Sequence, residues 1–556
     1  MKLHRKTKVA HSNSKHTLLR SVSIGFGAAL GVAAAGAGVF LAVYWPKASF
    51  SKPSTALAQF SLSGISQKVT QSSVTVDGKA IKYTITNGKI TPTQKLPEGA
   101  SAHVTITVER PSWIGWLVGR TKTISDSVIT PQAKLLNSVA FDSSKRPLLA
   151  YFSSPVTLAS IVGPNGTHIV NLATRSTEVP LLSTIGQSLA GTLTVAASPE
   201  PWEALPTPTQ LTYFRSSSNS PVAVISPSPS SLTPSSTLTI TLSKPISQVF
   251  GSRVPTITPA INGALIPQGK WTKTTPYTLT YTPSQADFWP SEQFSLKFPA
   301  AISIAQPSGS VSPASASLTL QGAAPSITRL QQFLAKLNYL PLSYQGAAGT
   351  TTSSPTMAAL SSSILAAPNG LFNWKWSMPS NFTSLWQSGT YNVITRGAVM
   401  SFEQFNHLDT TGLQNPLLWP TLLQDVISNK VDPHRYSWIE IEKRRPEMLY
   451  LYENGSVVFS GLTNTGIPGL NTTNGTYPIY LRFVQDYMSG TNPNGTTYHD
   501  LVHWINYFLG SEAVHGFVRS QYGFPQSLGC VELPVNSAAI VYPQVHIGTL
   551  VTVVPQ

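Results

Sequence analysis

The feature that most constrains the fold is a series of short runs, from about residue 60 to residue 322, in which apolar and polar residues alternate. Runs such as ASAHVTITVER and SLAGTLTVAAS have a period of two, which is typical of strands with one buried face. The pairs Asp77-Gly78 and Asn87-Gly88 flank one such run and favour tight hairpin turns. Because helical periodicity is almost absent here, the sequence predicts β-sandwich modules.

A chain of 556 residues needs several domains, since a single core rarely grows beyond ~250–300 residues. The β runs resemble immunoglobulin-like modules, one or two of them at 59–216 and a further one at 221–321. No cluster of polar residues marks a site in these modules. We therefore interpret them as a spacer, with a stalk or a substrate-guiding domain as the alternative.

An uncharged segment, 21–45, follows a basic tail, 1–20. At ~1.5 Å per residue a helix of this length would span roughly 37 Å, enough for the ~30 Å hydrocarbon layer. The sequence thus predicts a single-pass transmembrane signal anchor with a cytoplasmic N-terminus, and Tyr44 and Trp45 at the far interface. A cleaved signal peptide is the alternative, although its apolar region should be shorter.

The net charge of +15, from 37 Lys and Arg against 22 Asp and Glu, favours an anionic neighbourhood. Part of this excess lies in the basic tail, which the membrane orientation explains, so nucleic acid is not an expected partner. The expected fold class is a multidomain, mainly β protein with a membrane anchor, a small helical domain and a β-rich C-terminal domain.

The helical domain is expected at 325–426, where Leu330, Phe333, Leu334 and Leu337 form the stripe of an amphipathic helix. The pattern LQQFLAKLNYLP…ITRGAVMSFEQFN…GLQNPLLWPTLL resembles the three-helix peptidoglycan-binding domain of wall enzymes, with an insertion at about 343–390. Asn338 and Pro416 stand where that family has glycine. A packing domain that only positions its neighbour is the alternative.

Cys530 is the only cysteine in the sequence, so it cannot form an internal disulfide. It is an intermolecular bridge, a buried side chain or a reactive thiol. A cysteine nucleophile needs a base and donors for an oxyanion. His515 is a candidate base, Gly529 allows backbone N–H groups to approach a carbonyl, and Ser527 supplies a further hydroxyl.

The run VHGF…SLGCVELP…AAIVY…IGTLVTV resembles the catalytic motif of YkuD-type L,D-transpeptidases over about 437–556. The resemblance implies a catalytic set of Cys530 as the nucleophile, His515 as its base, Gly529 and Cys530 as the backbone oxyanion donors, and Ser527 as the motif hydroxyl. The candidate substrate-binding residues are Gly516, Tyr507, Tyr522 and Glu532.

This family joins peptidoglycan stem peptides. The resemblance implies attack of the cysteine at the third stem residue, release of D-alanine and formation of a 3→3 cross-link, with no metal or organic cofactor and with carbapenem-type β-lactams as inhibitors. A water acceptor would make the protein an L,D-carboxypeptidase, and a protein amine would make it a wall-anchoring enzyme. A wall-binding scaffold with a decayed site is the non-catalytic alternative.

Two residues depart from the family motif. Leu528 replaces a frequent second histidine, and Glu532 replaces Arg or Asn. A carboxylate facing the thiolate would raise the cysteine pKa. We therefore expect Glu532 either to point away or to hold a cationic acceptor amine.

Other chemistries are disfavoured. Exported NlpC-type cysteine peptidases place Cys before His, and sortases need an Arg after the Cys, which is missing here. His499 and His503 have the spacing of zinc ligands on a helix, but no third ligand is evident. We expect a polar lid over the active site there. The nearby aromatic residues Trp504, Tyr507 and Tyr522 could line a substrate groove, with packing in the core as the alternative.

Overall fold

A computed structural model describes residues 47–555 except 54, 65–67, 114, 143–146, 216–219, 285 and 347–354. The fold is mainly β, with 45% strand and 13% helix, as the alternating runs predicted. The predicted anchor at 21–45 lies outside the described residues. None of the helices in the described part combines the length and apolar character that a bilayer crossing requires.

The described chain forms two compact units. The first reaches Ser217 and includes Gln306–Ser310, and the second comprises Ser218–Ala305 and Val311–Gln556. The immunoglobulin-like and peptidoglycan-binding-like boundaries stay predictions.

The first unit begins with two four-stranded sheets, ordered β1-β2-β6-β5 and β4-β3-β7-β8. Both hairpin predictions here are confirmed, because Asp77-Gly78 and Asn87-Gly88 adopt positive φ between paired strands. The strands are β1 (Lys47–Ser51), β2 (Ala58–Ser63), β3 (Val69–Val76), β4 (Lys79–Ala80), β5 (Tyr83–Thr86), β6 (Lys89–Pro92), β7 (Ser101–Glu109) and β8 (Thr121–Ile129).

A separate five-stranded sheet with its own apolar core completes this unit, in the order β11-β10-β12-β13-β9. Its strands are β9 (Val139–Asp142), β10 (Leu149–Gly163), β11 (Gly166–Pro180), β12 (Ala190–Ser198) and β13 (Thr209–Arg215). Short helices span Gly115–Val118 and Leu182–Ile185.

The second unit opens with a seven-stranded sheet, ordered β16-β19-β14-β15-β18-β17 with β20 paired to β19. Its elements are β14 (Val222–Ser226), β15 (Leu238–Leu242), a helix at Ile246–Val249, β16 (Thr256–Pro259), β17 (Lys270–Thr275), β18 (Thr278–Thr282), β19 (Gln293–Ile304) and β20 (Ser315–Gln321).

The predicted helical stripe is confirmed, because Leu330, Phe333, Leu334 and Leu337 are all buried. Asn338, which replaces a glycine, ends this turn at φ +66°, a left-handed conformation that asparagine tolerates. The helices span Ile327–Lys336, Met357–Ser363, Ser380–Thr383, Val393–Phe405 and Leu418–Ser428, with a hairpin of β21 (Leu342–Gly346) and β22 (Gly370–Trp374).

Two sheets form the C-terminal part, in the orders β25-β24-β23-β31-β26 and β27-β28-β29-β30. Both contribute to one apolar core, together with the helix at Val535–Val541. The strands are β23 (Ser437–Glu442), β24 (Met448–Glu453), β25 (Ser456–Leu462), β26 (Gly475–Pro478), β27 (Leu481–Thr491), β28 (Thr497–Leu509), β29 (Glu512–Gly516), β30 (Val531–Leu533) and β31 (Leu550–Val554), with a 3-10 turn at Tyr542–Gln544.

The helical segment and the C-terminal sheets are not independently packed. Phe382, Trp438 and Leu550 belong to one apolar cluster with the helices. Gly397 and Gly548 approach so closely that a Cβ on either would collide with the carbonyl oxygen of the other. The helices therefore support the C-terminal sheet that contains β23 and β31.

Candidate active site

Adjacent parallel strands bring the two principal candidate residues together. Strand β30 starts directly after Cys530 and pairs with β29, which carries His515, so that His515 lies opposite Glu532. Gly529 has φ +122°, a conformation that side chains with a Cβ rarely adopt. Glycine at this position therefore permits the turn that delivers the cysteine to the strand.

The Cys530 thiol is held in its neutral form. Burial, with smaller contributions from the carboxylates of Glu532 and Glu512, raises its pKa to about 12, while the amide of Ala513 opposes this shift as a hydrogen-bond donor. The thiol itself contacts the carbonyl of Ser511, with Sγ 3.6 Å from the oxygen. A thiolate must therefore be generated during the reaction.

His515 is suited to generate it. The side chain is buried, and burial lowers its pKa, with Glu532 acting in the opposite direction. Its Nδ1 lies 3.3 Å from the carbonyl oxygen of Gly516. Because a carbonyl can only accept, Nδ1 carries the proton and Nε2 keeps a free lone pair. The imidazole is thus a neutral base.

Ser527 organises the loop that precedes the cysteine. Its hydroxyl donates to the carbonyl of Cys530 and accepts from the amide of Gly529, with N–H to Oγ at 3.2 Å between heavy atoms. The Gly529 amide was predicted as an oxyanion donor, but here it is bonded within the loop. Its use by a substrate would require this bond to open.

An ion pair that the sequence analysis did not predict lies beside the two residues. Arg519 donates from Nε to Oε2 of Glu532 at 2.8 Å and from Nη2 to Oε1 at 2.7 Å. Glu532 therefore neither points away nor leaves its oxygens free for an acceptor amine. The sequence did contain a clue to this ion pair. From residue 513 to residue 556, Arg519 is the only Lys or Arg and Glu532 is the only acidic residue.

These residues line a cavity of about 580 Å³, within the usual range of small-ligand sites. Tyr507 lies in its wall, as predicted for a substrate contact. The lining residues are Tyr487, Met488, Ser489, Asn492, Tyr498, Asp500, Val502, Tyr507, Ser511, His515, Phe517, Arg519, Gln526, Ser527, Leu528, Cys530 and Glu532.

Two predicted substrate contacts are placed elsewhere. The Tyr522 hydroxyl donates to the carbonyl of Phe517 and accepts from the amide of Arg519, so it braces the loop from within. A Cβ at Gly516 would lie 3.0 Å from Cβ of Ala538, so this glycine packs against a helix. Neither residue is among those that line the cavity.

The β27–β28 hairpin, where a polar lid was expected, supplies one wall of the cavity through Tyr487, Tyr498 and Asp500, and the lid itself stays a prediction. His499 and His503 lie on β28 instead of a helix, so their Cα atoms are ~13 Å apart at ~3.3 Å per residue, too far to share an ion. Trp504 packs on Tyr542.

A cluster with three potential metal ligands does occur in the described residues, away from the cavity lining. Atoms of Asp432, His434 and His546 lie within 4.8 Å of one another. The carboxylate of Asp432 already accepts from Nδ1 of His434 at 2.8 Å, and the His546 Nδ1 contacts the carbonyl of Ile547 at 2.9 Å. Hydrogen bonds within the protein therefore account for this grouping.

Fold and site together define a β-rich domain in which a cysteine and a histidine line one cavity. Residues 436–553 match the family model of the YkuD L,D-transpeptidase catalytic domain. This match confirms the resemblance that the His-Gly and Gly-Cys motifs indicated, and it identifies the C-terminal segment as a YkuD-type catalytic domain. The immunoglobulin-like and peptidoglycan-binding-like resemblances remain predictions.

Solved structures similar to the chain include an L,D-transpeptidase from Mycobacterium smegmatis, with 12% identity over 60% of this chain and 99% of that chain and a TM-score of 0.20. L,D-transpeptidase LdtMt1 in complex with imipenem has the same four values, 12%, 60%, 99% and 0.20. The catalytic domain of the Enterococcus faecium enzyme, acylated by ertapenem, has 22% identity over 21% of this chain and 97% of that chain, at a TM-score of 0.20. No curated protein matches the chain.

Proposed function

We propose that this protein is a peptidoglycan L,D-transpeptidase that forms 3→3 cross-links through a Cys530 thioester. The observation that carries the proposal is the placement of His515 on β29 and of Cys530 directly before the adjoining β30, both lining one cavity, within the segment that matches the family model. A half-buried thiol that shares a cavity with a neutral imidazole is an arrangement suited to nucleophilic catalysis.

In the first step, Nε2 of His515 takes the thiol proton as Sγ of Cys530 attacks the carbonyl carbon of the third stem residue. The tetrahedral oxyanion is stabilised by backbone N–H groups around Cys530. Its collapse breaks the C–N bond to the terminal D-alanine, whose amine receives the proton from His515. The acyl group is then held as a thioester.

In the second step, the side-chain amine of a neighbouring stem attacks the thioester carbonyl. The proton lost by this amine passes to His515 and then to the departing sulfur, so the thiol and the neutral imidazole are restored. The new bond is an amide between the third residues of two stems.

Water or a protein amine in place of the stem amine would give the carboxypeptidase or wall-anchoring reaction from the same thioester. The scaffold alternative predicts that no thioester forms. Carbapenem-type β-lactams are expected to acylate Cys530, by analogy with the imipenem and ertapenem complexes of the similar proteins.

For its location we propose the outer face of the cytoplasmic membrane, with 21–45 as the anchor and the catalytic domain in the wall. The uncharged segment after a basic tail supports this placement, and the net charge of +15 suits an anionic polymer mesh. The predicted spacer and the wall-binding-like segment would hold the catalytic domain away from the bilayer.

The decisive experiment incubates the full-length protein with purified tetrapeptide muropeptides and follows products by mass spectrometry. Release of D-alanine with a dimeric product, abolished by Cys530→Ala and retained by the exposed-residue control Ser520→Ala, is the expected result. Release with monomers alone would indicate hydrolysis. An unchanged substrate together with no adduct on Cys530 would support the scaffold alternative.

A further inference from the structure

The active-site cavity contains a single fixed cation. Among the described residues that line it, Arg519 is the one Lys or Arg, whereas Asp500 and Glu532 are carboxylates. A cavity of this composition would repel an anionic substrate unless the guanidinium were available to it. The position of Arg519 therefore bears on which substrates can enter.

One edge of the Arg519 guanidinium, formed by Nε and Nη2, is held in place. Its Nε and Nη2 donate to Glu532, Nη2 also lies 3.5 Å from the carbonyl oxygen of Gln526, and its guanidinium carbon is 4.7 Å from the ring centroid of Phe517. Three separate groups thus fix the orientation of the guanidinium, which lowers the entropy cost of binding a ligand.

The other edge of the guanidinium, which carries Nη1, is accessible. Nη1 makes no hydrogen bond to any described residue, and the Arg519 side chain is 32% exposed, against 6% for its partner Glu532. Arginine presents several N–H donors in one plane, so one edge can bind Glu532 while Nη1 binds a second acceptor. The acceptor that fits a positively charged N–H donor best is a carboxylate.

We propose that Arg519 binds the C-terminal carboxylate of the donor stem, on the D-alanine that leaves. This inference rests on the proposed transpeptidase function and adds a specificity residue to it. A tetrapeptide places that carboxylate one residue beyond the carbonyl that Cys530 attacks, and both Cys530 and Arg519 line the same cavity. Arg519 would thereby select a chain end and reject stems without a free carboxylate there.

Glu532 has a defined part in this arrangement. It fixes Arg519 through two hydrogen bonds and acts as a positioning residue. At position 532, where the family commonly has Arg or Asn, this chain has the anionic Glu532. The cation of the ion pair is Arg519, thirteen residues earlier in the chain.

The test compares two peptides, the stem tetrapeptide and the same peptide with a C-terminal amide, on the full-length protein. D-alanine and D-alaninamide release give kcat and KM for each. We expect the unmodified protein to prefer the acid by about 10- to 100-fold in kcat/KM, the range of a charge-assisted hydrogen bond. Arg519→Gln should reduce this preference to about one, mainly through KM for the acid.

Arg519→Gln alone leaves the buried Glu532 unpaired, which can disturb the fold. The double variant Arg519→Gln/Glu532→Gln replaces the ion pair with two amides that can still bond, and it should show the same loss of preference with a native-like melting temperature. Arg444→Gln, which removes an exposed arginine, serves as the matched control and should keep the preference.

Each result separates the two proposals. A double variant that melts like the unmodified protein and still prefers the acid would overturn the role of Arg519. Equal turnover of both peptides by the unmodified protein would also overturn it and leave the transpeptidase proposal intact. If the unmodified protein released nothing from either peptide, the proposed function itself would fail.

Discussion

The aromatic rings of Phe382 and Trp438 lie 4.7 Å apart between centroids and are tilted by 53°. Phe382 lies on the short helix Ser380–Thr383, and Trp438 lies on β23, the first strand of the C-terminal domain. Both side chains are completely buried. A neighbouring hydrogen bond of 2.7 Å, from Nδ2 of Asn381 to Oε1 of Glu440, joins the same two elements. The helical segment therefore braces the sheet that contains β23, which shares an apolar core with the sheet that carries the site.

Phe382→Ala should destabilise the protein by about 3–5 kcal/mol, the usual cost of removing a buried phenylalanine. Because the cluster is shared, the helical segment and the catalytic domain should lose structure in a single transition. Denaturant unfolding followed by tryptophan fluorescence measures this, with the exposed Leu371→Ala as the control. Separate transitions of the two segments in the unmodified protein would contradict the shared core.

The alkylation rate of Cys530 should rise about tenfold per pH unit from pH 8 to pH 10, without the plateau expected of an ordinary thiol near pH 9. Burial raises the thiol pKa to about 12, so the thiolate is scarce at neutral pH and grows steadily with pH. Iodoacetamide labelling read by intact mass measures one site only, because the chain has no other cysteine. A plateau below pH 9 would show a preformed thiolate.

Glu532→Gln should increase Cys530 alkylation at pH 8, because the Glu532 carboxylate raises the thiol pKa. The unpaired Arg519 would act in the same direction as a nearby cation. A variant at an exposed carboxylate, Glu178→Gln, should leave the rate unchanged. Slower alkylation in Glu532→Gln would contradict the electrostatic role assigned to this residue.

Ser527→Ala should lower the rate of acyl-enzyme formation by about 10- to 100-fold, because one hydroxyl holds both the Cys530 carbonyl and the Gly529 amide. The measurement is carbapenem acylation of Cys530 by stopped-flow or mass spectrometry, with Ser520→Ala alongside. If Ser527→Ala acylated at the unmodified rate while retaining its fold, the loop would not depend on this hydroxyl.

Glu292→Gln should raise stability at pH 8 and leave it unchanged near pH 4.5. Burial raises the Glu292 pKa from 4.5 to about 7, and neither oxygen has a hydrogen-bond partner among the described residues. The folded state therefore holds a proton that the unfolded state releases, so stability falls as pH rises from about 4.5 through 7. The expected gain is about 2 kcal/mol after discounting for partial solvation. Melting curves across this range test it.

Several features followed from the sequence because they depend on neighbouring residues. The Asn87-Gly88 pair was expected to form a tight turn, and it joins β5 to β6 with both residues at positive φ. The leucine stripe at 330–337 predicted its helix because apolar residues at that spacing share one face. The His-Gly and Gly-Cys motifs likewise indicated the catalytic segment that the family match confirmed.

Tertiary structure alone decided which distant groups meet. The periodicity of the strands does not state that Arg519 faces Glu532, that Phe382 of an insertion packs on Trp438, or that the Gly529 amide is bonded to Ser527. Nor does a four-residue spacing between His499 and His503 reveal whether it lies on a helix or a strand. Such pairings depend on how whole elements pack, because an apolar pattern shows which face of a strand or helix is buried but not which other element packs against it. The sequence thus determined the elements and the candidate catalytic residues, and packing determined the charges and contacts around them.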